Sequence, residues 1–99
     1  MKQYETMYII KSNLDDAARA ALVEEMHGII TSHDGKIDNV DDLGMKEFAY
    51  EIDKMSKGYY VVTTYTVGVE GLNEFERLMR INSDVVRFLT ISTDEKKGK

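Results

Sequence analysis

An α+β sandwich is the fold class this sequence predicts: one sheet of four antiparallel strands, two helices on one of its faces, in the order β-α-β-β-α-β. Three observations carry that expectation. Stretches rich in β-branched and aromatic residues alternate with stretches whose apolar residues recur at helical spacing. Two of the four strand stretches are apolar on both faces, as central strands are, while another is studded with acids, as a sheet edge tolerates. Finally, 99 residues with 42% apolar content supply one core and leave none for a second. The domain is read as residues 1–93, with residues 94–99 as a charged tail.

The first strand, Lys2 to Lys11, places Tyr4, Thr6, Tyr8 and Ile10 on one face and Glu5, Met7 and Ile9 on the other. Ser12-Asn13-Leu14-Asp15 breaks it, and Asp15 or Asn13 is positioned to cap a helix by accepting its free N–H groups. From Asp16 the period becomes helical, with Ala18, Leu22, Val23, Met26, Ile29 and Ile30 as the apolar stripe. Asp34-Gly35 ends the helix, Gly35 being the expected left-handed residue.

Lys36 to Leu43 is a poorer strand that carries Asp38, Asp41 and Asp42, and Gly44 is expected to bulge or bend it into the arm ending at Ile52. That arm alternates, with Phe48, Tyr50 and Ile52 against Glu47, Ala49 and Glu51. Asp53 to Gly58 reads as a polar reversal, followed by Tyr59 to Val67, almost wholly aromatic and β-branched and therefore a central strand. A second helix is expected from about Leu72 to Ile81 on Leu72, Phe75, Leu78 and Met79, and Val85 to Ile91 is the last strand. Two interlocked βαβ units of this kind make a ferredoxin-like sandwich, with strands one and three central and strands two and four at the edges.

Composition closes off several chemistries. No cysteine is present, so disulfides, thiolate catalysis and cysteine-bound metals are excluded, and two histidines cannot make a histidine cluster. Glu24-x-x-His27 has the spacing of two ligands on one helix face, but the second such pair that a di-metal site needs is absent. The loop after the first strand lacks the arginine of an anion-gripping phosphatase loop, and no nucleophile elbow or phosphate-cradling glycine run occurs. The reading is no enzyme, no metal and no cofactor. No run reaches the length of a membrane span, so the expectation is a cytoplasmic protein without a membrane partner.

The net charge of −5 hides an asymmetry: residues 1–53 hold 12 acids and 5 bases, residues 54–99 hold 6 acids and 8 bases. Surfaces of opposite sign follow if the halves separate in space. Aromatics on strands, including Tyr4, Tyr50, Tyr59, Tyr60 and Tyr65, either fill the core or stack bases on an open sheet. Adjacent Tyr59 and Tyr60 must point to opposite faces. The specific motif of base-stacking ribonucleoprotein sheets is missing.

Several segments together resemble one family, the sixth protein of the bacterial small ribosomal subunit. They are Tyr4-Glu5, Asn13-Leu14-Asp15, Asp42-Leu43-Gly44 followed by Phe48-Ala49-Tyr50, Gly58-Tyr59-Tyr60, and Arg80-Ile81-Asn82 through Val86-Arg87-Phe88. The likeness runs from Lys2 to about Asp94. It implies a ferredoxin-like protein, monomeric when free, that binds the central domain of small-subunit ribosomal RNA together with ribosomal protein eighteen, structurally and without catalysis, in the cytoplasmic ribosome. The family pattern has two or three bases after the glycine matching Gly44, where this chain has Met45-Lys46-Glu47, and a base where this chain has Ser92. Basic or amphipathic residues within or beside the matched segments, Lys2, Tyr4, Lys46, Lys54, Arg80 and Arg87, are the expected RNA contacts. The acids Asp38, Asp41, Asp42, Glu47 and Glu51 are expected to face the basic protein partner, or else to guard a sheet edge. A small-molecule-binding or dimeric regulatory domain on the same fold is the alternative.

Overall fold

The computed structural model describes residues 1–52 and 55–93, and the side chains of residues 1–47 and 57–93. Lys54 and the tail from Asp94 lie outside the described residues, as does the side chain of Glu51. The elements are β1 (Lys2–Lys11), α1 (Asp16–Ser32), β2 (Lys36–Ile52), β3 (Met55–Val67), α2 (Val69–Ile81) and β4 (Val85–Ser92). One antiparallel sheet takes the order β2-β3-β1-β4, so the two strands apolar on both faces are central and the acid-bearing β2 is at an edge.

Cross-strand partners share a face, and the register therefore sorts the side chains. Tyr4, Thr6, Tyr8 and Ile10 pair with Tyr65, Thr63, Val61 and Tyr59. These point under the helices, where Leu22, Met26 and Ile30 of α1 and Phe75 and Met79 of α2 bury them. The Tyr65 ring lies between Tyr4 and Phe75, with centroids 6.0 and 5.0 Å away. A polar seam runs through this core: Thr6 Oγ1 is 2.8 Å from both the Tyr65 hydroxyl and Thr90 Oγ1.

Asp15 is the cap of α1, its carboxylate accepting from the Ala18 N–H at 2.8 Å. The helix ends differently from expectation. Asp34, not Gly35, holds the left-handed conformation, at φ 63°. Gly35 is needed for closeness instead: its N–H donates to the Ile30 carbonyl at 2.9 Å, and a Cβ there would meet the Thr66 carbonyl at 2.6 Å. Gly44 does make the bulge, with φ 83° and a register shift between Asp42 and Gly44.

Two boundaries moved. β3 begins at Met55, because the hairpin pairing reaches Ile52↔Met55 and absorbs most of the polar stretch read as a reversal. α2 begins at Val69 with Gly68 at its cap, since Gly71 is buried against Val67 and His33 and the helix is docked from its first turn. His27, of the Glu24-x-x-His27 pair, is half-buried over the sheet with Nε2 3.4 Å from Thr63 Oγ1, and this desolvation holds its pKa below the usual histidine value.

Candidate interface on the open sheet face

Among the described residues, the second face of the sheet carries no helix. Its side chains are the alternate residues of each strand: Glu5, Met7, Ile9 and Lys11 of β1, Tyr60, Val62 and Thr64 of β3, and Arg87, Leu89 and Ile91 of β4. Asp41 of β2 pairs with Val62 and joins them, and Leu43 is carried beside it by the bulge before Gly44. Met7, Leu43, Val62, Leu89 and Ile91 form a shallow apolar depression bordered by Glu5 and Asp41. Leu89 is 60% exposed, Leu43 45% and Ile91 37%, which is more apolar surface in one place than isolated surface residues account for. Ile9, on the same face, is buried by its neighbours alone.

At one end of this face the chemistry changes sign. Lys46 and Lys11 both pair with Gly58, from opposite sides, which puts their backbones about 10 Å apart at the usual strand spacing. Arg87 is opposite Ile9, one strand further along. Lys11 leans toward Asp84 at 3.9 Å, a contact too long and too exposed to neutralise it. Arg80 reaches the same end from the last turn of α2 and is exposed. Lys11, Lys46 and Arg87 thus share this end of the face, from three strands, with Arg80 at the same end of the molecule on the helix side. Lys2 is at the opposite end of β1, roughly 30 Å from Lys11 at 3.3 Å per residue. Tyr4 is not a surface residue: at 9% exposure its ring belongs to the core, because Tyr4 pairs with Tyr65 on the helix side.

The acids expected on one side of β2 are divided by the pleat. Asp41 is on the open face, while Asp42 pairs with Val61 and Glu47 with Lys57, both on the helix side. Asp38 is already engaged: it accepts from the Thr66 hydroxyl at 2.6 Å and the Gln3 amide at 3.1 Å, bonds that hold its carboxyl below the usual range, and Lys36 lies 3.6 Å away. One electrostatic patch cannot include all of them.

Sequence reasoning missed Lys11 and the exposed apolar group. The alternation in VVRFLTI already separates Arg87, Leu89 and Ile91 from Phe88 and Thr90. What it does not say is which set the helices cover.

Comparison with known proteins agrees with this architecture. The family described as Ribosomal protein S6 matches residues 3–92. A small ribosomal subunit protein bS6 from Halalkalibacterium halodurans is 40% identical over 95 residues, covering 96% of this chain and the whole of that protein. The crystal structure of 30S ribosomal protein S6 from Thermotoga maritima superposes with a TM-score of 0.89 at 36% identity, over 98% of this chain and 92% of that one.

Proposed function

The chain belongs to the ribosomal protein S6 family, and from that premise we propose that it holds small-subunit ribosomal RNA and ribosomal protein eighteen together across its open sheet face. It is a structural protein of the small ribosomal subunit and not an enzyme. The observation that carries the finer reading is the juxtaposition on one face of an apolar depression and a basic end.

An apolar patch with Glu5 and Asp41 at its border suits a protein surface that is itself basic, since burial supplies affinity and the acids supply orientation and encounter rate. Lys11, Lys46, Arg80 and Arg87 are long cations that reach phosphate oxygens from a rigid sheet and helix end, positioning RNA without reading its sequence. Net acidity of the whole chain does not oppose this, because phosphate binding responds to the charges within about a Debye length, roughly 8 Å at physiological salt.

The test separates the two halves of the surface. In the full chain, Leu89→Glu is expected to weaken binding to purified protein eighteen by at least about tenfold, the loss of a well-buried apolar anchor. The double substitution Lys46→Ala with Arg87→Ala is expected to reduce affinity for the RNA–protein complex and to flatten its salt dependence by about one unit of slope per lost phosphate contact. Unchanged affinity in Leu89→Glu, or an unchanged salt slope in the double variant, overturns the corresponding assignment.

A further inference from the structure

On the opposite, helix-bearing side, α1 and the edge strand β2 leave a groove of about 470 Å³ between them. Its floor is Val23, Val40, Val61 and the Tyr59 ring, and Val40 is 41% exposed. Acids Asp16, Glu24 and Asp42 stand around it. The base in the lining, Arg19, is spent: its guanidinium lies 3.9 Å over the Tyr59 ring and pairs with Asp16. The groove follows α1 from Asp16 to Glu24, about 12 Å at 1.5 Å per residue, which matches about four residues of extended chain. Beside it, among the described residues, β2 has β3 as its neighbour on one side and an unpaired backbone edge on the other.

We propose that this groove binds an extended, arginine- or lysine-bearing segment of another protein, which adds as a strand to the outer edge of β2 and sets its apolar residues against Val40 and Val23. The backbone edge supplies main-chain hydrogen bonds, and alternate side chains of the incoming strand fall on the groove. Charge selects the occupant. Glu24 and Asp42, the two carboxylates left once Asp16 is paired with Arg19, favour a cation and repel an acidic peptide or a phosphate backbone, so nucleic acid is not the ligand of this side. Met45, 43% exposed and paired with Tyr59, continues the apolar strip past the groove. This site shares no lining residue with the open sheet face and stands or falls separately.

The probe is a synthetic six-residue peptide, Thr-Arg-Thr-Val-Thr-Arg, which puts arginine, valine and arginine on one face of an extended chain, titrated into isotope-labelled full chain and followed by amide chemical shifts. Saturable shifts in β2 and the first half of α1 are expected, and the peptide with glutamate in place of arginine is expected not to bind. Both Glu24→Lys and Val40→Lys, at exposed positions, are expected to raise the Kd by about tenfold or more through charge reversal or loss of the apolar floor, with the remaining shifts confirming the fold. A peptide N-methylated at every residue has no backbone donor for a strand edge in any register and is expected to lose binding. Absence of saturable shifts, shifts confined to the open sheet face, equal binding of the glutamate peptide, or full affinity of the N-methylated peptide would each overturn the proposal.

Discussion

The Tyr65 hydroxyl is 2.8 Å from Thr6 Oγ1, which is in turn 2.8 Å from Thr90 Oγ1, while the equally buried Tyr8 hydroxyl lies beside Thr63 without a well-formed hydrogen bond among the described residues. Both rings fill the same core at full burial. A buried hydroxyl that is paired repays its desolvation, and one that is not costs free energy to keep. Tyr65→Phe is therefore expected to cost about 1 kcal/mol, the loss of one neutral hydrogen bond. Tyr8→Phe removes the unpaired group and keeps the ring, so its stability is expected to equal or exceed the parent's. Urea unfolding of the two variants checks the contrast, and equal losses would contradict it. The tyrosines look alike in sequence, since both stand in strands apolar on both faces. Tyr65 is satisfied because its register brings it against the β1–β4 seam, and no local pattern encodes that meeting.

The helices show how far local pattern reaches. Asp15, the apolar stripe of α1 and the stop near residue 34 are local matters of capping, period and turn, and each is visible in the sequence. Gly71 is a case where local and tertiary reasoning give opposite signs. Within an isolated helix, Gly→Ala gains about 1 kcal/mol. Here the first turn of α2 lies against the end of α1, and a Cβ on Gly71 would come within 2.9 Å of the His33 Cβ and closer still to Val67. Overpacking of a closed contact costs about 1–3 kcal/mol, and backbone elements on both sides leave little room to relax. Gly71→Ala is accordingly expected to be destabilising on balance, with a lower thermal midpoint; a higher midpoint would mean that the helix contact is softer than its geometry. Gly35 belongs to the same class, held by close packing while Asp34 takes the left-handed conformation.

For the whole molecule, burial of titratable groups on the helix side sets limits of pH at both ends. Burial raises the Tyr8 and Tyr65 hydroxyls from 10 to about 12. Between those values the unfolded chain releases protons that the folded chain retains, so stability is complete below pH 10 and falls as pH rises toward 12. His27 works at the other end. Its folded pKa lies below 6.5, again from burial, so the unfolded chain takes up a proton first, and stability present above pH 6.5 is lost as pH falls through the folded value. The carboxyls of Asp38 and Glu74, held low by hydrogen bonds from Thr66 and Arg77, add their losses only at still lower pH, below their ordinary values of 3.8 and 4.5. A urea midpoint that is level between roughly pH 7 and 9.5 and declines on either side is the expected profile. His27→Gln should remove the shoulder just below pH 6.5 and leave the alkaline limb in place; an unchanged shoulder would assign it to another group.

The sequence by itself determined the element order, the central places of β1 and β3, the edge place of β2, the bulge at Gly44 and the family resemblance. All of these rest on periodicity, charge and turn chemistry, which act between near neighbours in the chain. It could not say which face the helices cover. That choice put Tyr4 in the core, drew Lys11 to the side of Lys46 and Arg87, left Lys2 at the far end, and split Asp41 from Asp42. The physical reason is the two-residue period of a strand: adjacent side chains go to opposite faces, so one register decides core or surface for every residue at once. Tertiary packing fixes that register through Tyr65, Phe75 and Met26 meeting from three elements, and only then does a run of acids or a scatter of bases become a surface with a sign.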